Sequence, residues 1–263
     1  MLTRATNGTG RLTGRVGIVA GASYGIGLAT ARRFAAEGAA VVLVARNTAR
    51  IEQGAADIQA NGGQALPMTG DVSLSADVRR VVDQTLEAFG RIDILANVAA
   101  AHQRVEPIEE ITEDEFDSVV NTTLKGSWLT CKYVIPEMKR VGGGAIVNTA
   151  SIWGVQGAGD QAAYCAAKGG VVLLTKSLAI ECAPHGIRVN CVCPGYTRTL
   201  HSEEWFGALD EPEKEREEFL SDIPMGRPAS ADEIANVSLY LVSDEAAFVT
   251  GHVLMVDGGY TTR

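Results

Sequence analysis

The chain has 263 residues, 46% of them hydrophobic and 21% charged, a composition and length that suit one large α/β domain with a sizeable core. Its formal net charge of -9 argues against nucleic acid or an anionic membrane as the main partner. No apolar run approaches the ~18 residues of a membrane span, and the opening MLTRATNGTGRLTGR lacks the apolar centre of a signal peptide, so residues 1–13 are expected to form a flexible polar tail and the protein to be cytoplasmic.

The first strand is expected in RVGIVA, and a glycine cluster, GASYGIG, separates it from a helix through Phe34. Gly21 permits a tight turn, Gly25 and Gly27 let a diphosphate approach the backbone, and the helix start supplies free N–H groups. The spacing is G-x-x-x-G-x-G rather than the general G-x-G-x-x-G. Strand before and helix after favour a dinucleotide site over a purely structural turn. The second strand, AAVVLVA, ends at Ala45 and Arg46, with no carboxylate for a ribose 2′-hydroxyl. A guanidinium suits a 2′-phosphate, so NADP(H) is expected in preference to NAD(H). The competing reading of Arg46 is a surface arginine at a strand end.

Further along, a helix is expected over about 49–61, then strand QALPMT, a helix over about 76–89 and strand RIDILAN. A long helical region over roughly 113–140 precedes strand GAIVNTAS. The segment DQAAYCAAKGGVVLLTKSLAIE forms the next helix, to about 183, followed by strand IRVNCVC. In it, Tyr164 and Lys168 stand four apart, on one helical face. After an acidic, irregular stretch come a helix over about 231–241 and a last strand in GHVLMVDGG. DEPEKEREEF carries both charge signs at helical spacing and reads as a solvated helix of a lid over about 196–225. Strands apolar on both faces and separated by helices indicate a parallel sheet covered on both sides. With no internal repeat and no linker, residues 14–263 are expected to form one domain. Of the five cysteines, Cys191 and Cys193 form a C-x-C without a second ligand pair, which favours buried thiols over a metal site. The sequons at Asn7, Asn121 and Asn236 are chance matches in a cytoplasmic chain.

On GASYGIG, GDVS with Asp71, RIDILANVAA, NTAS with Ser151, YCAAK, CPGYTRT and VTGHVLMVDGG, the chain from about Arg15 onward resembles the short-chain dehydrogenase/reductase family in its single-domain form. Within it, the 3-oxoacyl-ACP-reductase-like and glucose-dehydrogenase-like members are the nearest in kind. The resemblance implies a Rossmann-type, doubly wound, seven-stranded parallel sheet with helices on both faces. It also implies a nicotinamide cofactor, a small-molecule substrate, no metal, and a homotetramer or homodimer.

By the same resemblance Tyr164 is the general acid/base, Lys168 holds the nicotinamide ribose, and Ser151, thirteen residues before the tyrosine, orients the reacting oxygen. A phenol with pKa near ~10 is a poor base at neutral pH. The Lys168 ammonium and the positive oxidised nicotinamide are expected to lower it. The resemblance places the diphosphate turn at Gly21, Ser23, Tyr24, Gly25, Ile26 and Gly27, and the adenosine end at Arg46, Asn47, Asp71 and Val72. Asn97 and the loop of Pro194, Gly195, Thr197 and Thr199 complete the cofactor set.

Two motifs depart from the family pattern. Asn97, Val98, Ala99 and Ala100 stand where the family reads N-N-A-G. Thr123 falls where the family has a catalytic Asn, with Asn121 two residues early, so the proton relay is expected to be weakened or rebuilt around Thr123. For the substrate, the candidates are His102, Trp153, Gln156, Tyr196, His201, Trp205 and Phe206, which suit a moderately hydrophobic alcohol or ketone. The expected activity is NADP(H)-dependent interconversion of a secondary alcohol and a ketone. The alternatives are dehydratase- or epimerase-like chemistry on the same site, or a non-catalytic nucleotide-binding regulator.

Overall fold

A computed structural model describes residues 10–262. β1 (Val16–Ala20), α1 (Gly25–Ala36), β2 (Ala40–Ala45), α2 (Thr48–Ala60), β3 (Gln64–Thr69), α3 (Ser75–Phe89) and β4 (Ile94–Asn97) alternate through the first half. The expected strands and helices all form there, with ends shifted by one to three residues. β1 is buried along its whole length and β2 along all but its last residue, as strands covered on both faces must be.

The single long helical region expected over 113–140 is instead three segments. These are α4 (Glu113–Val120), a π-helical turn (Asn121–Lys125) and α5 (Gly126–Arg140). Thr112 starts α4 with a capping box: its hydroxyl accepts from the Glu115 amide and the Glu115 carboxylate accepts from the Thr112 amide. β5 (Gly144–Thr149), α6 (Ala162–Cys182) and β6 (Ile187–Pro194) follow. The stretch after β6 is more ordered than its acidity suggests. It contains β7 (Thr197–Arg198), α7 (Leu200–Gly207) and α8 (Pro212–Ser221), then β8 (Ala229–Ser230), α9 (Ala231–Val242) and β9 (Val253–Val256). α7 was not foreseen, because its signal is a Thr199–Ser202 capping box in place of the usual Glu at the third position.

All seven long strands pair in parallel, in the order β3-β2-β1-β4-β5-β6-β9, and β7 pairs with β8 as a separate ribbon. The order reverses direction at β1 and β4, the place where this kind of sheet opens a crevice beyond its carboxyl edge. Alternation along each strand feeds the two layers. Val41 and Leu43 of β2 pack with Phe34, Ile51, Ile58 and Ile234 on the side of α1, α2 and α9. Val42 and Val44 pack with Val81, Val134 and Met138 on the side of α3, α5 and α6. The doubly wound sheet expected from the sequence is therefore present.

Two expectations need correction. Residues 1–9 of the expected tail lie outside the described residues, but residues 10–13 are packed. Leu12 is 1% exposed in the core, and its amide donates to the Glu37 carbonyl at 2.9 Å. An isolated leucine among polar neighbours gives no periodic signal, which is why it read as tail. The second correction concerns apolar length: residues Ala162–His185 form a stretch of 24 residues, within which an 18-residue window has mean hydropathy 1.3, enough by length and composition for a span. Here α6 is a core helix. Tyr164, Ala167, Lys168, Val171 and Thr175 are buried in the fold, and its small residues let it lie close to its neighbours.

Candidate active site

A cleft of about 410 Å³ runs along the carboxyl edge of the sheet, from the glycine turn after β1 to the rim formed by α7 and α8. That size lies within the ~300–1,000 Å³ of small-molecule sites. At one end the turn is shaped by backbone that only glycine tolerates. Gly21 has φ +93°, and a Cβ there would lie 2.5 Å from the Ala99 amide. A Cβ on Gly27 would lie 2.0 Å from the Gly21 carbonyl, so α1 can begin hard against the turn only with glycine at that position. No side chain caps the first N–H groups of α1, which leaves them free for an anion. This fits the diphosphate of a dinucleotide.

The adenosine end has Arg46 and, unforeseen from the sequence, Arg50 in its lining. Arg46 is exposed and 4.0 Å from Asp71. The Arg50 guanidinium lies over the Tyr24 ring at 5.1 Å, and Asn47 caps α2 by accepting from the Arg50 amide at 3.1 Å. Ser23, Tyr24, Gly25, Ile26, Asn47, Asp71 and Val72 all line the cleft, as do Pro194, Gly195, Thr197 and Thr199. Asn97 does not. Its amide is consumed between sheet and helix, accepting from the Thr130 hydroxyl at 2.7 Å and donating to Asn148 at 2.9 Å. It is a structural residue because β4 is central and its side chain points into the layer under α5. The small Val98, Ala99 and Ala100 line the cleft in its place.

Midway along the cleft, Ser151, Tyr164 and Lys168 come together from β5 and α6. Close packing makes this possible: a Cβ on Gly154 would lie 2.8 Å from the Lys168 carbonyl, so the turn after Ser151 rests directly on α6. The Ser151 hydroxyl stands close enough to the Tyr164 phenol to favour its ionised form. Lys168 is 2% exposed, donates from Nζ to the Thr149 carbonyl at 2.7 Å, and places that nitrogen 5.6 Å from the Tyr164 ring centre. Burial pushes the lysine down to about 8. Burial also pushes the Tyr164 phenol upward, opposed by the Ser151 hydroxyl. The expected lowering by Lys168 is therefore not what dominates in the protein itself. Desolvation of the phenolate outweighs a single ammonium across the ring.

Thr123 lies in the π turn, 1% exposed, and does not line the cleft. Its hydroxyl accepts from the Ala101 amide at 3.2 Å and faces the Ala101 carbonyl at 3.4 Å. The shorter side chain bonds the nearest backbone and ties the loop after β4 to the distorted helix. The distortion itself is present with threonine at this position.

On that loop, His102 stacks on Tyr164 with ring centres 4.4 Å apart, and His201 lies 3.7 Å from His102. Trp153, Tyr196, Trp205, Phe206 and Phe219 form the adjoining wall. Of the expected substrate residues only Gln156 falls away; it is exposed, in the open turn leading to α6, and outside the cleft lining. The sequence reading missed Gln103. Its Oε1 accepts from the Ala163 and Tyr164 amides at 2.8 and 3.1 Å, capping α6 at its catalytic end. No sequence signal reveals a cap delivered from 60 residues away.

A family model described as enoyl-(acyl carrier protein) reductase matches residues 21–261. The chain is 40% identical over 262 residues to levodione reductase of Leifsonia aquatica, covering 98% of either protein. It is 39% identical to D-threitol dehydrogenase of Mycolicibacterium smegmatis, over 96% of this chain and 95% of that one. It is also 37% identical to 3-oxoacyl-(acyl-carrier-protein) reductase of Thermotoga maritima, over 95% and 98%. The crystal structure of levodione reductase superimposes with a TM-score of 0.92 over 95% of this chain. Motifs, topology, cleft and relatives agree, and the chain is an oxidoreductase of the short-chain dehydrogenase/reductase family.

Proposed function

We propose that this enzyme interconverts a secondary alcohol and a ketone on a small to medium, partly hydrophobic substrate, with NADP(H) preferred and Tyr164 as general acid/base. The observation that carries the reading is the meeting of Ser151, Tyr164 and Lys168 in one cleft with the glycine turn. Relatives named levodione reductase, D-threitol dehydrogenase and 3-oxoacyl-(acyl-carrier-protein) reductase support it at the level of reaction type. The nicotinamide, when bound, supplies or accepts the hydride. In reduction, Tyr164 gives its proton to the substrate oxygen while the Ser151 hydroxyl orients that oxygen. A phenol kept protonated by burial suits the acid role. In oxidation, the Lys168 ammonium must favour the phenolate, which the lysine does only below its own lowered pKa of about 8.

The preference for NADP(H) rests on Arg46 and Arg50 at the adenosine end, where β2 ends without a carboxylate. All five cysteines are free thiols, which supports the cytoplasmic location also proposed. A homotetramer or homodimer is supported by the apolar surface left on α5 and α6.

The test is cofactor oxidation with a ketone panel. Wild type should turn over with NADPH faster than with NADH. Arg46→Asp should cost about 10–100-fold in NADPH efficiency, the worth of a charge-assisted contact. Tyr164→Phe should lower kcat by about 10²–10⁴. Unchanged turnover in Tyr164→Phe would remove the tyrosine mechanism.

A further inference from the structure

Beyond Tyr164, the cleft holds polar nitrogen that the protein itself does not use. His102 stacks on the reactive phenol, His201 lies against His102 with the rings tilted by 32°, and both line the cleft. Among the described residues neither imidazole is hydrogen-bonded to the protein. Trp205, in the same wall, has its indole N–H buried without a partner. An indole N–H only donates, and a neutral imidazole donates from one nitrogen and accepts at the other. A ligand that satisfies these unpaired groups, the buried Trp205 N–H above all, is selected over one that does not.

The surroundings restrict what that ligand is. Burial, the neighbouring imidazole and the Lys168 ammonium all hold His102 well below its ordinary value, and burial lowers His201 despite the opposing carboxylate of Glu204. Apart from Lys168, the cations that line the cleft, Arg46 and Arg50, stand at the adenosine end, and Arg216, which lies over the Phe206 ring outside the lining, is already paired with Glu203 at 2.9 Å. A carboxylate at the histidines would thus be desolvated without an arginine to receive it. The remaining walls are the rings of Trp153, Tyr196, Phe206 and Phe219, which suit a ring with apolar faces.

We propose that the substrate is an uncharged cyclic or aryl ketone bearing a second oxygen one or two carbons from the reacting carbonyl, gripped by His102 and His201 with Trp205. The short spacing follows from His102 lying directly on the Tyr164 ring, with centres 4.4 Å apart. This rests on the oxidoreductase reading and deepens it. In the reduction the carbonyl carbon gains a hydride from the reduced nicotinamide, and the carbonyl oxygen gains the Tyr164 proton. The cofactor leaves oxidised by two electrons, and the second oxygen keeps all its bonds.

The experiment compares 2-hydroxycyclohexanone with 2-methylcyclohexanone, near-isosteres that differ in the second oxygen, following NADPH oxidation by the purified enzyme. Wild type should favour the hydroxyketone by 10-fold or more in kcat/KM. In His102→Phe and in His201→Phe, each folded by circular dichroism, the ratio should fall to within about threefold. His201 sits on the rim helix α7, so its variant keeps the test alive if loss of His102 disturbs the loop. Equal efficiency toward both ketones in wild type, or a ratio that survives both substitutions, overturns the proposal alone. Failure to reduce either ketone, and every other member of the ketone panel, with NADPH or NADH overturns the alcohol–ketone reading with it. A third comparison, phenylglyoxylate against 1-phenylpropane-1,2-dione, addresses charge: the neutral dione should be preferred, and preference for the anion overturns the uncharged assignment.

Discussion

Tyr164, Lys168 and His102 are each forced by burial toward their neutral forms, and the site's chemistry follows from that shared direction. For His102 the consequence is measurable as stability. Its pKa is lowered in the fold, whereas in the unfolded chain it titrates near ~6.5. Below that pH the unfolded state binds a proton that the folded state refuses, so stability is complete above ~6.5 and is lost as pH falls, by up to about 1.4 kcal/mol per pH unit. His201 is lowered by burial too, and contributes in the same sense. Denaturant midpoints between pH 7.5 and 5 should therefore fall less steeply for His102→Phe than for wild type. Parallel slopes would mean that the imidazole is solvated and titrates normally. Carboxylates titrate in both proteins and cancel in the comparison.

Among the elements, α6 has the most demanding position, since its first turn must present Tyr164 with sub-ångström accuracy. Gln103 supplies the means: one amide oxygen receives two helix-start N–H groups, and its Nε2 donates to the Asp160 carbonyl at 3.1 Å. Gln103 is a positioning residue acting through α6. Gln103→Leu should cost about 1–3 kcal/mol by orphaning buried donors, and should lower kcat more than it raises KM. Gln103→Glu, which keeps an acceptor for both amides, should recover most of the kcat. A loss of stability with kcat intact would leave it a structural cap only. The same loop is tied down at Ala101 by Thr123 from the π turn, so one short segment links the distorted helix, the histidine and the catalytic helix. π turns are frequent at functional sites for this reason: one extra residue re-aims the side chains around it.

At the scale of the molecule, large apolar side chains remain exposed on the outer faces of two helices. Trp128 on α5 is 45% exposed, and Leu173 and Ile180, seven residues apart on one face of α6, are 66% and 80% exposed. The helix that carries the catalytic tyrosine inward therefore presents hydrophobic side chains outward. If this face joins two subunits, the double variant Leu173→Glu, Ile180→Glu should sediment as a smaller species than wild type. An unchanged sedimentation coefficient would move the interface elsewhere. Because assembly would cover the outer face of α6, the smaller species should also lose thermal stability.

Local pattern alone determined much of this protein. The β-branched runs, the glycine turn after β1, the arginine ending β2, and the Tyr164–Lys168 spacing are all short-range features, and short-range features set strand, turn and helix. They placed the sheet, the nucleotide turn and the shared face of Tyr164 and Lys168, while Ser151 joined them through the resemblance to the family's motifs. What tertiary structure decided lies in contacts between residues far apart in the chain. Leu12 is buried by the end of α1, Asn97 is drawn into the layer beneath α5, and Gln103 caps α6. Thr123 grips a loop 22 residues away, and His102 meets His201 across the cleft. Desolvation decided the rest. Whether a phenol is pushed up or down depends on how completely the fold removes water from it, and no spacing of residues along a chain specifies that.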